Sequence, residues 1–258
     1  MLIFLLLFPS LFSQNLKISD ARSAARILNN EFGPSGKTFF CQCPYFRKDI
    51  NLKACGFSFE DFFDRQKRVE WVPVVSPESM AKSFASFGGH ESCKRVDRIP
   101  TRSSMRSMGN SPSYFNYTAT PKPFDGIECV RKVDALFNRM ESDLYNLVPE
   151  VGAIAALKKE TRLADIEVFV SQFGECSLKI LNNFLTPPSL LKGDVARIFM
   201  YMDWAYPGRN IITPAEKKLI EKWNRMDPVS KEECERARKI HEIQGNENPF
   251  VQKICYKT

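Results

Sequence analysis

The chain has 258 residues, 43% hydrophobic and 26% charged. That composition belongs to folded globular proteins and excludes collagen-like, low-complexity and polytopic membrane classes. Its 37 Lys and Arg against 30 Asp and Glu leave a formal charge of +7, a mild surplus that suits an anionic partner such as nucleic acid or a membrane surface without selecting one. The 2 histidines leave little room for a histidine-rich metal site or for more than one histidine-based catalytic centre.

Residues 2–12 form an apolar run that contains one proline and is preceded by no Lys or Arg. The run is too short to cross a bilayer as a helix and has the length of a signal-peptide h-region. Cleavage after Ser13 leaves residues 14–258 as the mature chain, secreted or periplasmic; the alternative is a buried N-terminal helix. No later stretch is long and apolar enough for a membrane helix. Cys41, Cys43, Cys55, Cys93, Cys129, Cys176, Cys234 and Cys255 form an even set that reads as a disulfide framework in an oxidising compartment. Spacing leaves their pairing open. No Cys/His cluster has the spacing of a structural zinc site.

In chain order, Ile18, Ala21, Ala25, Leu28 and Phe32 recur at helical spacing and predict an amphipathic helix over residues 18–32, ending near Gly33-Pro34. Thr38-Phe39-Phe40-Cys41 and Val69-Glu70-Trp71-Val72-Pro73-Val74-Val75 are the strand candidates, with Pro73 a mark against a regular central strand. Residues 101–124, rich in Ser, Pro, Thr and Arg, read as a long surface loop. From Cys129 onward the pattern is helical: Val130, Val133, Phe137 and Met140 share a face, and residues 143–149 continue or close that helix. Val195, Ile198, Phe199 and Met202 mark a second helix. Thr213-Pro214-Ala215-Glu216 combines an N-cap, a proline at the first helical position and a capping-box glutamate, opening a helix with Leu219, Ile220, Trp223 and Met226 on its face. Ser230 to Glu233 repeats the box, and Gly245 ends that helix. One mainly helical α+β domain without internal repeats accounts for the pattern.

Several strings, in order, resemble the secreted endonuclease I family of bacteria, which belongs to the ββα-metal nucleases. They include Thr38-Phe39-Phe40-Cys41-Gln42-Cys43, Arg68-Val69-Glu70-Trp71, Gly89-His90 before Cys93, Asp143-Leu144-Tyr145-Asn146-Leu147-Val148-Pro149, Gly193-Asp194 with Ala196-Arg197, and Asn248-Pro249-Phe250-Val251. The resemblance implies a disulfide-stapled α+β domain with a ββα-metal nuclease core, cutting DNA and often RNA with Mg²⁺ and little sequence preference. In that family the strand motif reads Glu-Trp-Glu-His followed by two valines. Its second glutamate helps to hold the metal, the histidine activates water, and an asparagine in the later helix completes the metal contacts. The division is chemically sensible, because a hard cation needs oxygen ligands and a base needs a lone pair near the operating pH.

This sequence departs at those positions. Val72 stands where the metal-binding glutamate belongs and Pro73 where the histidine belongs; neither side chain can coordinate a metal or accept a proton. Glu70 is retained, in a place the family uses structurally. Asn146 is assigned to the surviving metal-ligand position as a vestige, while the family's Asn-rich stretch is replaced by Ala155-Ala156-Leu157-Lys158-Lys159-Glu160. His90 and His241 do not match the base and read as surface or packing histidines; Tyr145 reads as a packing residue. Lys94, Arg95, Arg98, Arg102 and Arg106, with Arg131, Lys132, Lys158, Lys159 and Arg162, are the candidate nucleic-acid-binding cations. Arg197 is expected to pair with Asp194 or another core carboxylate, and Asn116-Tyr117-Thr118 fits a glycosylation acceptor.

Three readings follow. One is an exported, monomeric pseudonuclease that keeps a groove for DNA or RNA, or a protein partner, without a cofactor. Another is an active Mg²⁺-dependent endonuclease with a rearranged centre. The third is a non-catalytic envelope interaction protein.

Overall fold

A computed structural model describes residues 14–100, 117–158, 160–167 and 171–256, the side chains of 95–100 and 117–120 excepted. In chain order its principal elements begin with α1 (Ala21–Glu31), β1 (Ser35–Lys37), β2 (Pro44–Phe46), β3 (Asp49–Ile50), α2 (Phe63–Gln66), β4 (Val69–Pro73) and α3 (Pro77–Ala81). There follow β5 (Lys94–Pro100), β6 (Tyr117–Pro123), α4 (Gly126–Val133), α5 (Ala135–Glu141), β7 (Leu147–Val151) and α6 (Gly152–Leu157). The chain continues through β8 (Arg162–Leu163), β9 (Lys179–Leu181), β10 (Phe184–Thr186), α7 (Lys192–Ala205), α8 (Pro214–Met226), α9 (Lys231–Gln244) and α10 (Pro249–Cys255). The class is α+β and mainly helical. The chain forms two compact units, one drawn from Met1–Met80 and Ala135–Thr258, the other Ala81–Asp134.

In the larger unit, α7 carries apolar side chains on nearly every side, as a helix must if it is to sit inside a core. Val195, Ala196, Phe199, Tyr201 and Met202 are all buried, and α8 packs against α7 with Ile220 and Trp223 buried. Two polar clusters cross this core, and their donors and acceptors are matched, which burial demands. The buried Asp143 carboxylate accepts from the hydroxyls of Tyr201 and Tyr206, both at 2.7 Å, and from Gln244 Nε2 at 2.9 Å. Burial raises its pKa, while those donors oppose the rise. Buried Arg197 donates to Asp194 at 2.8 Å, to Glu233 at 2.8 and 2.5 Å, and to the carbonyl of Asp227 at 2.7 Å.

Both predicted capping boxes form, at Thr213/Glu216 and Ser230/Glu233, and Gly245 closes α9 at φ 88°. The disulfides are Cys41–Cys176, Cys43–Cys55, Cys93–Cys129 and Cys234–Cys255, so all eight cysteines are paired. In the smaller unit, β5 and β6 form an antiparallel hairpin from Lys94↔Pro123 to Pro100↔Tyr117, and Cys93–Cys129 ties its base to α4.

Several local expectations change. Residues 38–41 form a turn between β1 and β2 instead of a strand: Gln42 N–H donates to Thr38 O at 3.0 Å, with Gln42 at φ 54°, and Phe39 N–H donates across to Pro149 O at 2.7 Å. The first helix starts at Ala21, capped by Asp20, and buries Ala24 and Leu28 in place of Ala25. The proposed loop 101–124 contains strand β6, paired along its length, while residues 101–116, Asn116 included, lie outside the described residues. The helix after Cys129 divides at Asp134, whose backbone is extended, and residues 143–149 do not continue it: a turn leads into β7. Met226 is exposed, leaving Ile220 and Trp223 as the buried face of α8. The apolar run at the start of the chain also lies outside the described residues.

The candidate ββα centre

β4 pairs antiparallel with β7 in the register Glu70↔Glu150, Trp71↔Pro149, Val72↔Val148 and Pro73↔Leu147. β7 runs directly into α6, completing a ββα unit. Gly152 makes that sharp strand-to-helix turn possible, since a Cβ there would stand 2.3 Å from the Arg65 carbonyl oxygen. Glu70 takes Arg65 Nε and Nη2, each at 2.7 Å, which fixes α2 beside the turn. Its carboxylate therefore has a structural task.

Val72 is buried and Pro73 continues the pairing at the end of the strand. Proline is tolerated here because β4 has one ladder partner, so its missing N–H breaks no bond on the other edge. Asn146 lies in the turn before β7 and not on a helix. Its Oδ1 accepts from Val75 N–H at 2.7 Å and its Nδ2 donates to Val75 O at 3.1 Å, so both ends of the amide hold the exit of β4. The family string around Asn146 thus preserves a backbone clasp, and the assignment of this side chain as a vestigial metal ligand loses its geometric basis.

Lys158, which follows α6, is buried instead of belonging to a basic surface. Its ammonium donates to the carbonyls of Pro73 and, at 2.9 Å, of Val74. Burial draws its pKa down, while the charges of Glu150 and Glu78 oppose that shift. Glu150 is also fully buried; its oxygens accept from Phe40 N–H at 2.6 Å and Val151 N–H at 2.7 Å. Burial pushes its carboxyl up, and those N–H groups and Lys158 hold it down. Burial outweighs these partners and brings both groups to about 7, Glu150 from 4.5 and Lys158 from 10.5.

These residues do not fit Mg²⁺, which requires near-octahedral oxygen coordination. The strand offers Val72 and Pro73, α6 reads Gly-Ala-Ile-Ala-Ala-Leu without a side-chain oxygen, Asn146 is engaged at both ends, and an ammonium stands at the carbonyls of residues 73 and 74. Among the described residues no group of three His, Cys, Asp or Glu is placed to hold a metal.

The remaining candidates divide. Tyr145 is buried, its hydroxyl donating to Asn246 O at 3.0 Å, and burial together with Asp143 pushes its pKa above the phenol range; it is a packing residue. His241 Nδ1 lies 3.2 Å from Asn246 O, and exposed His90 accepts from Ser92 N–H at 3.1 Å. Arg162 is drawn to Glu216 at 2.7 Å and Thr213 at 2.8 Å. Arg131 and Lys132 are exposed on the last turn of α4, and Lys132 Nζ lies 3.5 Å from the carbonyl of Lys94, also exposed. The side chains of Arg95 and Arg98 on β5, and all of Arg102, Arg106 and Lys159, lie outside the described residues. Sequence reasoning missed the inward turn of Lys158 and the burial of Glu150. The only signal was their setting, a glutamate in an apolar strand and a lysine directly after an Ala/Ile/Leu helix.

The β4–β7–α6 unit inside a disulfide-stapled α+β fold is the strand–strand–helix arrangement that the sequence resemblance implied. The Endonuclease I family matches residues 106–255. A periplasmic deoxyribonuclease of Aeromonas hydrophila is 35% identical over 84% of this chain and 79% of its own. An extracellular deoxyribonuclease of the same organism is 28% identical over 95% and 94% of the two chains, and an Endonuclease-1 of Buchnera aphidicola 29% identical over 85% and 75%. The chain belongs to the Endonuclease I family.

Proposed function

We propose that this protein is an exported member of the family whose ββα centre no longer cleaves phosphodiesters by the metal-dependent route, and which retains binding to nucleic acid or to a protein partner. One observation carries the reading: the Lys158 ammonium is bonded to the carbonyls of Pro73 and Val74, at the strand end where the resemblance puts the base and next to the missing metal ligand. Loss of a general base costs about 10²–10⁴ in rate, and loss of the charged ligand removes the metal's anchor as well. The exposed Lys94, Arg131 and Lys132 of the smaller unit favour retained polyanion binding of a sequence-tolerant, salt-sensitive kind. The extracellular and periplasmic relatives and the disulfides support export.

The second reading, an active nuclease with different ligands, is favoured by the relatives' deoxyribonuclease names. A supercoiled-plasmid assay of the oxidised mature protein with Mg²⁺, Mn²⁺ or Ca²⁺ against EDTA separates the two. The expected result is no metal-dependent nicking; nicking abolished by EDTA overturns the proposal. The triple change Val72→Glu, Pro73→His and Lys158→Gln tests whether nicking appears once both positions are restored and the ammonium is removed.

A further inference from the structure

The larger unit contains a cavity of about 900 Å³, the size of a small-molecule site. Val148 of β7, Ile198 of α7, Ile240 of α9 and Val251 of α10 line it, all buried. Leu190 also lines it and is 85% exposed, carrying apolar surface from the buried wall out to solvent.

Its charged groups decide what it can hold. Arg236 lines the wall; its Nη2 donates to the carbonyls of Leu144, at 3.0 Å, and Leu147, and its guanidinium lies 5.1 Å from the centre of the Phe32 ring. Burial draws its pKa down to about 10, and the groups that act on it electrostatically are Tyr45 and Tyr145, neither a carboxylate. Arg236 is half-buried and bonded to backbone carbonyls rather than to a carboxylate, so an incoming anion at its guanidinium gains a charge-assisted partner. Asp194, Glu232 and Glu233 also line the cavity, Asp194 and Glu233 already bonded to Arg197, and Lys37 is exposed at it. Glu232 and Glu233 disfavour a ligand with several negative charges, such as a nucleotide, whereas one carboxylate can pair with Arg236 and lay a hydrocarbon chain on the aliphatic wall.

We propose that this cavity binds a medium- or long-chain monocarboxylate, its head on Arg236 and its tail along Val148, Ile198, Ile240 and Val251. The site is independent of whether the ββα centre cleaves. Calorimetric titration of the full oxidised chain with decanoate is expected to show saturable one-to-one binding, at least tenfold tighter than decanol, with adenosine monophosphate not binding saturably. Arg236→Gln is expected to bring decanoate down to the decanol level. Because Arg236 also holds two carbonyls and its loss can unfold the chain, Leu190→Asp at an exposed position is the second variant. It is expected to weaken decanoate at least fivefold with an unchanged unfolding midpoint. Absence of saturable decanoate binding, equal affinity for decanol, tighter binding of the nucleotide, or no effect of Leu190→Asp overturns the proposal.

Discussion

Lys158 shows how much one side chain's direction matters. Replacing it with Met leaves the Pro73 and Val74 carbonyls without their donor and Glu150 without its nearby cation. The expected loss is about 2–4 kcal/mol, because unpaired buried polar groups incur their full desolvation penalty; urea unfolding measures it, and a loss below experimental error would place Lys158 outside the core. Arg197 is a stronger case: Arg197→Met leaves Asp194 and Glu233 facing each other in the interior, with an expected loss of about 3–5 kcal/mol. Asp165 gives a pH signature. Burial pushes its carboxyl up, but Lys192 at 2.7 Å, Lys222 at 2.9 Å and Trp223 Nε1 at 3.1 Å outweigh this and bring it from 3.8 to about 2. The folded state thus holds this proton less tightly than the unfolded chain, so the contribution is full above about pH 4 and lost as pH falls through about 2. The stability difference between the native protein and Asp165→Asn is expected to shrink over that interval; a constant difference contradicts the assignment.

At the scale of elements, the legible parts were those governed by local rules. The capping boxes at Thr213 and Ser230 and the left-handed Gly245 set helix ends through bonds within a few residues, so the sequence displays them. Ser230→Ala removes the acceptor for Glu233 N–H, at 3.1 Å, and is expected to cost about 1 kcal/mol in chemical denaturation. The misread elements depended on partners far along the chain. Residues 147–151 pair with 69–73 and become strand β7, although their neighbours continue a helical pattern. Thr38-Phe39-Phe40-Cys41 has the composition of a strand, yet the turn it makes is held from outside by Glu150 and by the bond from Cys41 to Cys176.

For the molecule as a whole, the disulfides act on the unfolded chain. Cys41–Cys176 closes a separation of 135 residues and Cys43–Cys55 one of 12. Loop-closure entropy puts the first at about 5 kcal/mol and the second at about 3. Replacing Cys41 and Cys176 with Ala is therefore expected to lower the melting temperature more than replacing Cys43 and Cys55; the reverse order would mean that native-state effects dominate.

The sequence by itself determined the α+β class, the helix boundaries marked by caps, the family resemblance and the departures at Val72 and Pro73, because these rest on residue identity and short-range order. It did not determine which cysteines pair, that Asn146 clasps Val75, that Lys158 turns inward onto the end of β4, or that Arg236 lines a largely apolar cavity while bonded to backbone carbonyls. Those outcomes follow from burial and from contacts between distant segments. The same lysine can be a solvated charge or an internal cation, and only the packed structure sets the dielectric around it and the acceptors within its reach.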